Sequence, residues 1–94
     1  MDIKTAEALS LLMMRINASL DDSVAMVRDK GSLEELQWYR QEVGKIMAGL
    51  YLEIQEKLWA EHPSLRPRQM KGDYVVDPAN FEPRFYAIRR DSDK

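Results

Sequence analysis

The side chains that could carry out acid–base or metal chemistry in this sequence are few and lie far apart. His62 is the only histidine, and there is no cysteine. Glu53 and Glu56 have the one-turn spacing of metal-binding glutamates in carboxylate-bridged helical bundles, but the Glu-x-x-His element of such sites is absent. A lone histidine before Pro63, at the predicted end of a helix, is better explained by its interaction with the helix dipole. We therefore predict no catalytic residue, no metal site and no cofactor.

Recognisable catalytic motifs are also missing. The sequence has no Gly-rich phosphate-binding loop, no G-x-S-x-G motif and no Cys-x-x-Cys motif. Two further acidic pairs, Asp21-Asp22 and Glu34-Glu35, fall near a predicted polar turn, where charged side chains are expected to be solvated. These observations argue against an enzyme.

A second group of side chains could bind a polyanion. Arginine interleaved with aromatic residues can hold phosphates and stack on bases, and residues 63–94, the C-terminal arm, carry such a set: Arg66, Arg68, Lys71, Arg84, Phe85, Tyr86, Arg89 and Arg90. The arm nevertheless has five acidic side chains against seven basic ones, so it is only weakly positive. We expect ion pairs between the arm and the more acidic helical part, and nucleic-acid binding is the weaker alternative.

Composition places the chain among ordinary soluble globular proteins. It has 94 residues, 45% of them hydrophobic and 32% charged, and a net charge of −2. A near-neutral chain has no general attraction for nucleic acid or for an anionic membrane. There is no apolar run of about 18 residues that could span a bilayer and no signal-peptide pattern. The absence of cysteine fits a reducing cytoplasm, which is the expected location.

The strongest local signals predict two long helices joined by a tight turn. Apolar and small residues repeat at helical spacing over about 5–30 and again over about 33–61. Between them, Gly31 is expected to end the first helix with a positive φ, and Ser32 with Glu35 forms a capping box that starts the second. Pro63 ends the second helix. Residues 1–62 are thus predicted to form an antiparallel helical hairpin, in a mainly all-α fold.

The Pro-rich arm is predicted to be partly extended. Residues 74–76 and 84–88 have strand-like composition, and Asp77-Pro78-Ala79-Asn80 between them is typical of a type I turn. The arm could form a short β-hairpin or remain an extended segment. A two-stranded hairpin is not stable alone, so its apolar residues must pack on a helical surface. The sequence leaves open whether that surface belongs to the same subunit or to a second one.

Apolar residues on every side of two facing helical segments indicate a further packing partner. The segments are 9–14 and 50–59, and a lone hairpin needs only one apolar face per helix. We therefore predict that two copies associate into a four-helix bundle, with Gly49 as a site of close packing. A tetramer is left open by the mixed second face of the second helix. The predicted dimer interface is Leu11, Leu12, Met14, Gly49, Tyr51, Leu52 and Trp59.

Taken together, these patterns predict a small, non-catalytic homo-oligomer that acts as a protein–protein interaction module, such as an adaptor, a chaperone or an inhibitor. The alternative is a nucleic-acid-associated regulator that uses the basic and aromatic residues of the arm. No pattern in the sequence specifies the partner.

Overall fold

Residues 1–82 and 85–86 are described by the computed structural model, and all regular structure in this part of the chain is helical. Helix α1 spans Ile3–Lys30 and α2 spans Leu33–Gly49; a π-helical turn, Leu50–Gln55, leads into α3, Glu56–Glu61. Because α2, the π turn and α3 follow one another without a break, we call them the second rod. The predicted all-α hairpin is confirmed, with its helix ends within two residues of the expected positions.

The tight turn between α1 and the second rod forms largely as expected. The Ser32 side chain accepts a hydrogen bond from the Glu35 amide, and the Glu35 side chain accepts one from the Ser32 amide, so both halves of the capping box are present. The prediction of a left-handed Gly31 is wrong, because its φ is −101°. Glycine suits this position for a different reason, because there is little room for a side chain. A Cβ would lie 3.0 Å from the carbonyl oxygen of Val27.

The arm folds into short 3-10 turns, at Pro63–Leu65, Arg68–Met70 and Pro78–Phe81. The predicted turn at 77–80 is present, since the Asn80 amide donates to the Asp77 carbonyl at 2.9 Å. The described residues do not form the possible β-hairpin. Tyr74 exchanges backbone hydrogen bonds with Arg66 and Arg68 instead, in a single bridge beside Pro67. Phe85 and Tyr86 are helical, and Arg84, Ala87 and Ile88 lie outside the described residues.

The described part of the arm packs on the helices of the same chain. Leu65 and Val76 of the arm join one buried cluster with residues of both helical elements: Ala6, Met14, Leu58 and Trp59. Partly buried side chains surround this cluster: Leu9, Leu11, Tyr51, Met70 and Tyr74. Much of the apolar surface that the sequence assigned to a second copy is therefore covered by the chain itself.

Polar contacts fix the arm at several points. The Arg66 guanidinium donates two hydrogen bonds to the Glu56 carboxylate, at 3.0 and 2.9 Å, and its central carbon lies 5.3 Å from the centre of the Trp59 ring. Farther along, Arg15 donates to Asn80 at 2.8 Å. The Arg66 pair bears out the expectation that an ion pair holds the arm to the helices.

The Tyr74 hydroxyl gives this docking a pH dependence at the alkaline end. It donates to Glu7 at 2.6 Å, and this hydrogen bond, together with burial, raises the pKa of Tyr74 from 10.0 to about 12. Because the folded-state pKa lies above the unfolded value, the contribution to stability is complete below pH 10 and is lost as the pH rises through about 12. In a tyrosinate absorbance titration, we expect Tyr74→Phe to remove the component near pH 12. Loss of a component near pH 10 instead would contradict this assignment.

Candidate functional site

An open groove of about 420 Å³ lies where α1, the second rod and the arm meet. Its volume is within the range of ligand-binding clefts in proteins. Twelve residues line it, most of them apolar or amide-bearing: Met14, Asn17, Ala18, Asp21, Met47, Tyr51, Gln55, Trp59, Pro67, Gln69, Met70 and Phe81.

Helix α1 contributes one face to the groove. Met14, Asn17, Ala18 and Asp21 are separated by steps of three, one and three residues, which places their side chains on the same side of an α-helix. Ala18 and Met14 are buried, whereas Asp21 is exposed at the rim. The α1 wall is therefore apolar at its buried end and carries an acidic side chain at its exposed end.

The π turn aligns the groove wall formed by the second rod. The lining residues Met47, Tyr51, Gln55 and Trp59 are four residues apart. With 3.6 residues per turn, each step of four would rotate the side chain by about 40° around an α-helix. In the wider π turn the Glu56 amide donates to the carbonyl of Tyr51, five residues earlier. The rotation per residue is smaller there, so the four side chains stay closer to one side of the helix. Single π turns are often found at functional sites in proteins.

The arm closes the third side with Pro67, Gln69, Met70 and Phe81. The first three lie in the loop closed by the backbone bonds between Arg66, Arg68 and Tyr74, so the same contacts that dock the arm also shape the groove.

Two amides form the polar part of the groove floor. Gln55 is buried, and Asn17 Nδ2 donates to Gln55 Oε1 at 3.4 Å. Asn17 Oδ1, the other polar atom of the Asn17 side chain, is buried and has no hydrogen-bond partner among the described residues. Buried polar atoms in proteins are generally hydrogen-bonded. Asn17 is also one of the residues that line the groove.

The groove walls are mainly apolar. Three methionines, two aromatic rings next to each other (Tyr51 and Trp59, 5.9 Å between centres) and one exposed phenylalanine supply apolar, adaptable walls. Burial, and then a hydrogen bond to Glu56, raises the pKa of Tyr51, so its hydroxyl stays protonated at neutral pH. The groove therefore fits an apolar group.

The residues considered for catalysis or metal binding from the sequence are not brought together. Glu56 accepts hydrogen bonds from Arg66, which lower the pKa of Glu56. Glu53 is exposed. His62 Nε2 lies 3.1 Å from the carbonyl oxygen of Met1. Within the described ranges, no three His, Cys, Asp or Glu side chains are placed to share a metal ion.

The predicted dimer-interface residues divide into three groups. Met14 and Trp59 are buried in the subunit's own core and line the groove, and Leu11 and Tyr51 are half-buried against that core. Leu12 and Leu52 are exposed, by 38% and 59%. A Cβ at Gly49 would have no atom of the described chain within 4 Å. With the subunit folded in this way, a second copy could contact only the exposed residues of the predicted dimer interface.

The predicted basic and aromatic surface is also divided. Arg68 and Lys71 are exposed, but Arg66 is engaged by Glu56. Phe85 is exposed, whereas Tyr86 is buried and its hydroxyl donates to Asp29 at 2.8 Å. Arg84, Arg89 and Arg90 lie outside the described residues.

Sequence reasoning missed Asn17 and Gln55, because the apolar spacing predicted that Ile16 and Ile54 face across the hairpin. The structure leaves Ile54 40% exposed and buries Gln55 instead, where its side chain accepts a hydrogen bond from Asn17.

Among the described residues, no helix combines the length and the hydropathy that a membrane-spanning segment requires. Comparison with protein families, with curated proteins and with solved structures found no match to this chain.

Proposed function

We propose that this protein is a non-catalytic interaction module whose groove binds an apolar segment of another protein. The observation that carries the proposal is the groove itself: its walls are apolar and rich in methionine, and one of its lining residues, Asn17, has a buried carbonyl oxygen without a hydrogen-bond partner among the described residues. A peptide segment offers both features that such a site recognises, an apolar side chain and a backbone N–H donor.

The openness and adaptability of the groove favour a protein segment over a compact small molecule. Because one side is open, a partner's side chain can enter while its backbone remains outside. Unbranched methionine side chains rearrange to fit different apolar groups, as at other protein-binding surfaces. Asp21 at the rim favours positive charge next to the inserted group.

The nucleic-acid alternative has less support. Arg66 is engaged by Glu56, the ring of Tyr86 is buried, and the groove rim carries an acidic residue.

The lack of cysteine in all 94 residues is consistent with the proposed cytoplasmic location.

Site-specific photo-crosslinking in the cells that produce the protein tests this function. We expect a benzophenone amino acid in place of Gln69, an exposed residue at the groove, to give a crosslinked adduct of discrete mass. Met47→Lys places a charge in the apolar wall and should abolish the adduct, since burying an unpaired ammonium is costly.

The adjacent residue provides the matched control. Ile46 is 54% exposed and does not line the groove, so Ile46→Lys should leave the adduct intact. If the crosslinker gives the same adduct from Gln37, on α2 away from the groove, or if Met47→Lys has no effect, the groove is not the binding site.

A further inference from the structure

Helix α2 carries a stripe of four residues on its outer side that is complementary to itself. Trp38, Glu42, Lys45 and Gly49 are separated by steps of four, three and four residues, so they lie on one face of a regular α-helix. Trp38 is 62% exposed, and the side chains of Glu42 and Lys45 are 48% and 64% exposed. Around Gly49, the space that a Cβ would occupy is open as far as the described chain reaches. We call these residues the outer stripe.

We propose that the outer stripe binds the outer stripe of a second copy, with the two helices antiparallel around a two-fold axis. The spacing is symmetric about the midpoint between Glu42 and Lys45. An antiparallel pair centred there places Trp38 of each copy against Gly49 of the other. It also places Glu42 of each copy opposite Lys45 of the other. A two-fold axis produces every such contact twice.

Size complementarity favours this arrangement. An indole that is largely in solvent can lie against a helix backbone only where the facing residue has no side chain, and Gly49 meets that condition. Burying aromatic surface stabilises association, and tryptophan is enriched at the centres of protein interfaces. The contact also explains a glycine in the helix interior, which otherwise costs about 1 kcal/mol relative to alanine.

Charge complementarity selects the register. A neighbouring register would place Trp38 on Leu52 of the second copy, which is attractive for two apolar side chains. It would also bring the two copies of Lys45 together at the axis, where like charges repel. In the proposed register, both glutamates instead face lysines.

The contact is short, so we expect weak association. From Trp38 to Gly49 the helix rises about 17 Å, and an interface of this length is at the small end for specific complexes. The groove residue Met47 is not part of the outer stripe, so dimerisation leaves the groove open. This inference is therefore independent of the proposed function.

Charge reversal with mixing tests the pairing. We expect the full chain to sediment as a reversible dimer at high micromolar to millimolar concentration. Glu42→Lys alone and Lys45→Glu alone should each be monomeric there, because each places like charges opposite one another. An equimolar mixture of the two variants should dimerise again, since each copy then meets an opposite charge at both positions.

The mixing step separates contacts between copies from contacts within a helix. Glu42 and Lys45 also pair within one helix, at 3.3 Å, and both single variants lose that pair. Only a contact between copies can be restored by mixing. Trp38→Ala, which leaves the charges unchanged, should weaken the dimer at least tenfold. Circular dichroism verifies that each variant remains helical. A full chain that stays monomeric at millimolar concentration, single variants that still dimerise, or a mixture that stays monomeric would each overturn the proposal.

Discussion

Replacing Trp59 with alanine is expected to destabilise the fold by about 3–5 kcal/mol. The Trp59 side chain is 2% exposed and lies at the centre of the cluster that joins both helical elements to the arm. Its indole Nε1 donates to Ser10 Oγ at 3.0 Å, and its ring contacts Tyr51 and the Arg66 guanidinium. Truncation leaves a cavity that neither rigid helix can fill, and the arm loses the surface on which Arg66 rests.

Urea unfolding measures this effect, with the other tryptophan as the matched control. A loss of this size is a large part of the stability of a small domain, about 5–15 kcal/mol. Trp38 is 62% exposed, so at concentrations below dimerisation Trp38→Ala should change the free energy of unfolding by no more than about 0.5 kcal/mol. Equal effects of the two substitutions would contradict the assignment of Trp59 to the core.

Replacing Gly72 with alanine is expected to destabilise the docked arm by about 1–3 kcal/mol through steric overlap. An added Cβ would lie 2.0 Å from the carbonyl oxygen of Arg66, a backbone atom that accepts the Tyr74 amide. The overlap cannot be relieved without opening this loop. Faster hydrogen exchange at the Tyr74 amide, together with a lower urea midpoint, is the expected result.

The same substitution at Gly44 should have the opposite sign. Gly44 lies inside α2, and a Cβ there would meet no atom of the described residues within 4 Å. Alanine favours the helix over glycine, so Gly44→Ala should stabilise the protein by about 0.5–1 kcal/mol. If Gly72→Ala is also neutral or stabilising, the loop does not have the described conformation.

The sequence determines the helical hairpin through local interactions. The capping box at Ser32 and Glu35 involves residues only three apart, and Pro63 disfavours helix at the residue before it. Such signals act within one turn of the chain and do not depend on the rest of the fold. The boundaries of the two helical elements could therefore be predicted closely.

The arm and the groove depend on contacts that the sequence does not show. Residues 74–76 have strand-like composition, but Tyr74 bonds to the backbone of Arg66 and Arg68, which a loop with a left-handed Lys71 brings close. Met14 and Trp59 were predicted to lie at a dimer interface. The sequence does not show that Leu65 and Val76 of the arm pack against them in the same chain. The π turn, which aligns Tyr51 and Gln55 with the groove, likewise has no local sequence signal.

Methionine methyl NMR provides the most direct test of the groove as a binding site. Three of the six methionines line it, Met14, Met47 and Met70, and the other three are internal controls, Met1, Met13 and Met26. N-acetyltryptophanamide, at millimolar concentration, supplies an apolar ring with the N–H donors of a peptide. The account predicts saturable shifts of the three groove methyl signals and little change in the control signals. Shifts spread equally over all six signals, or no saturable shift in any of them, would contradict it.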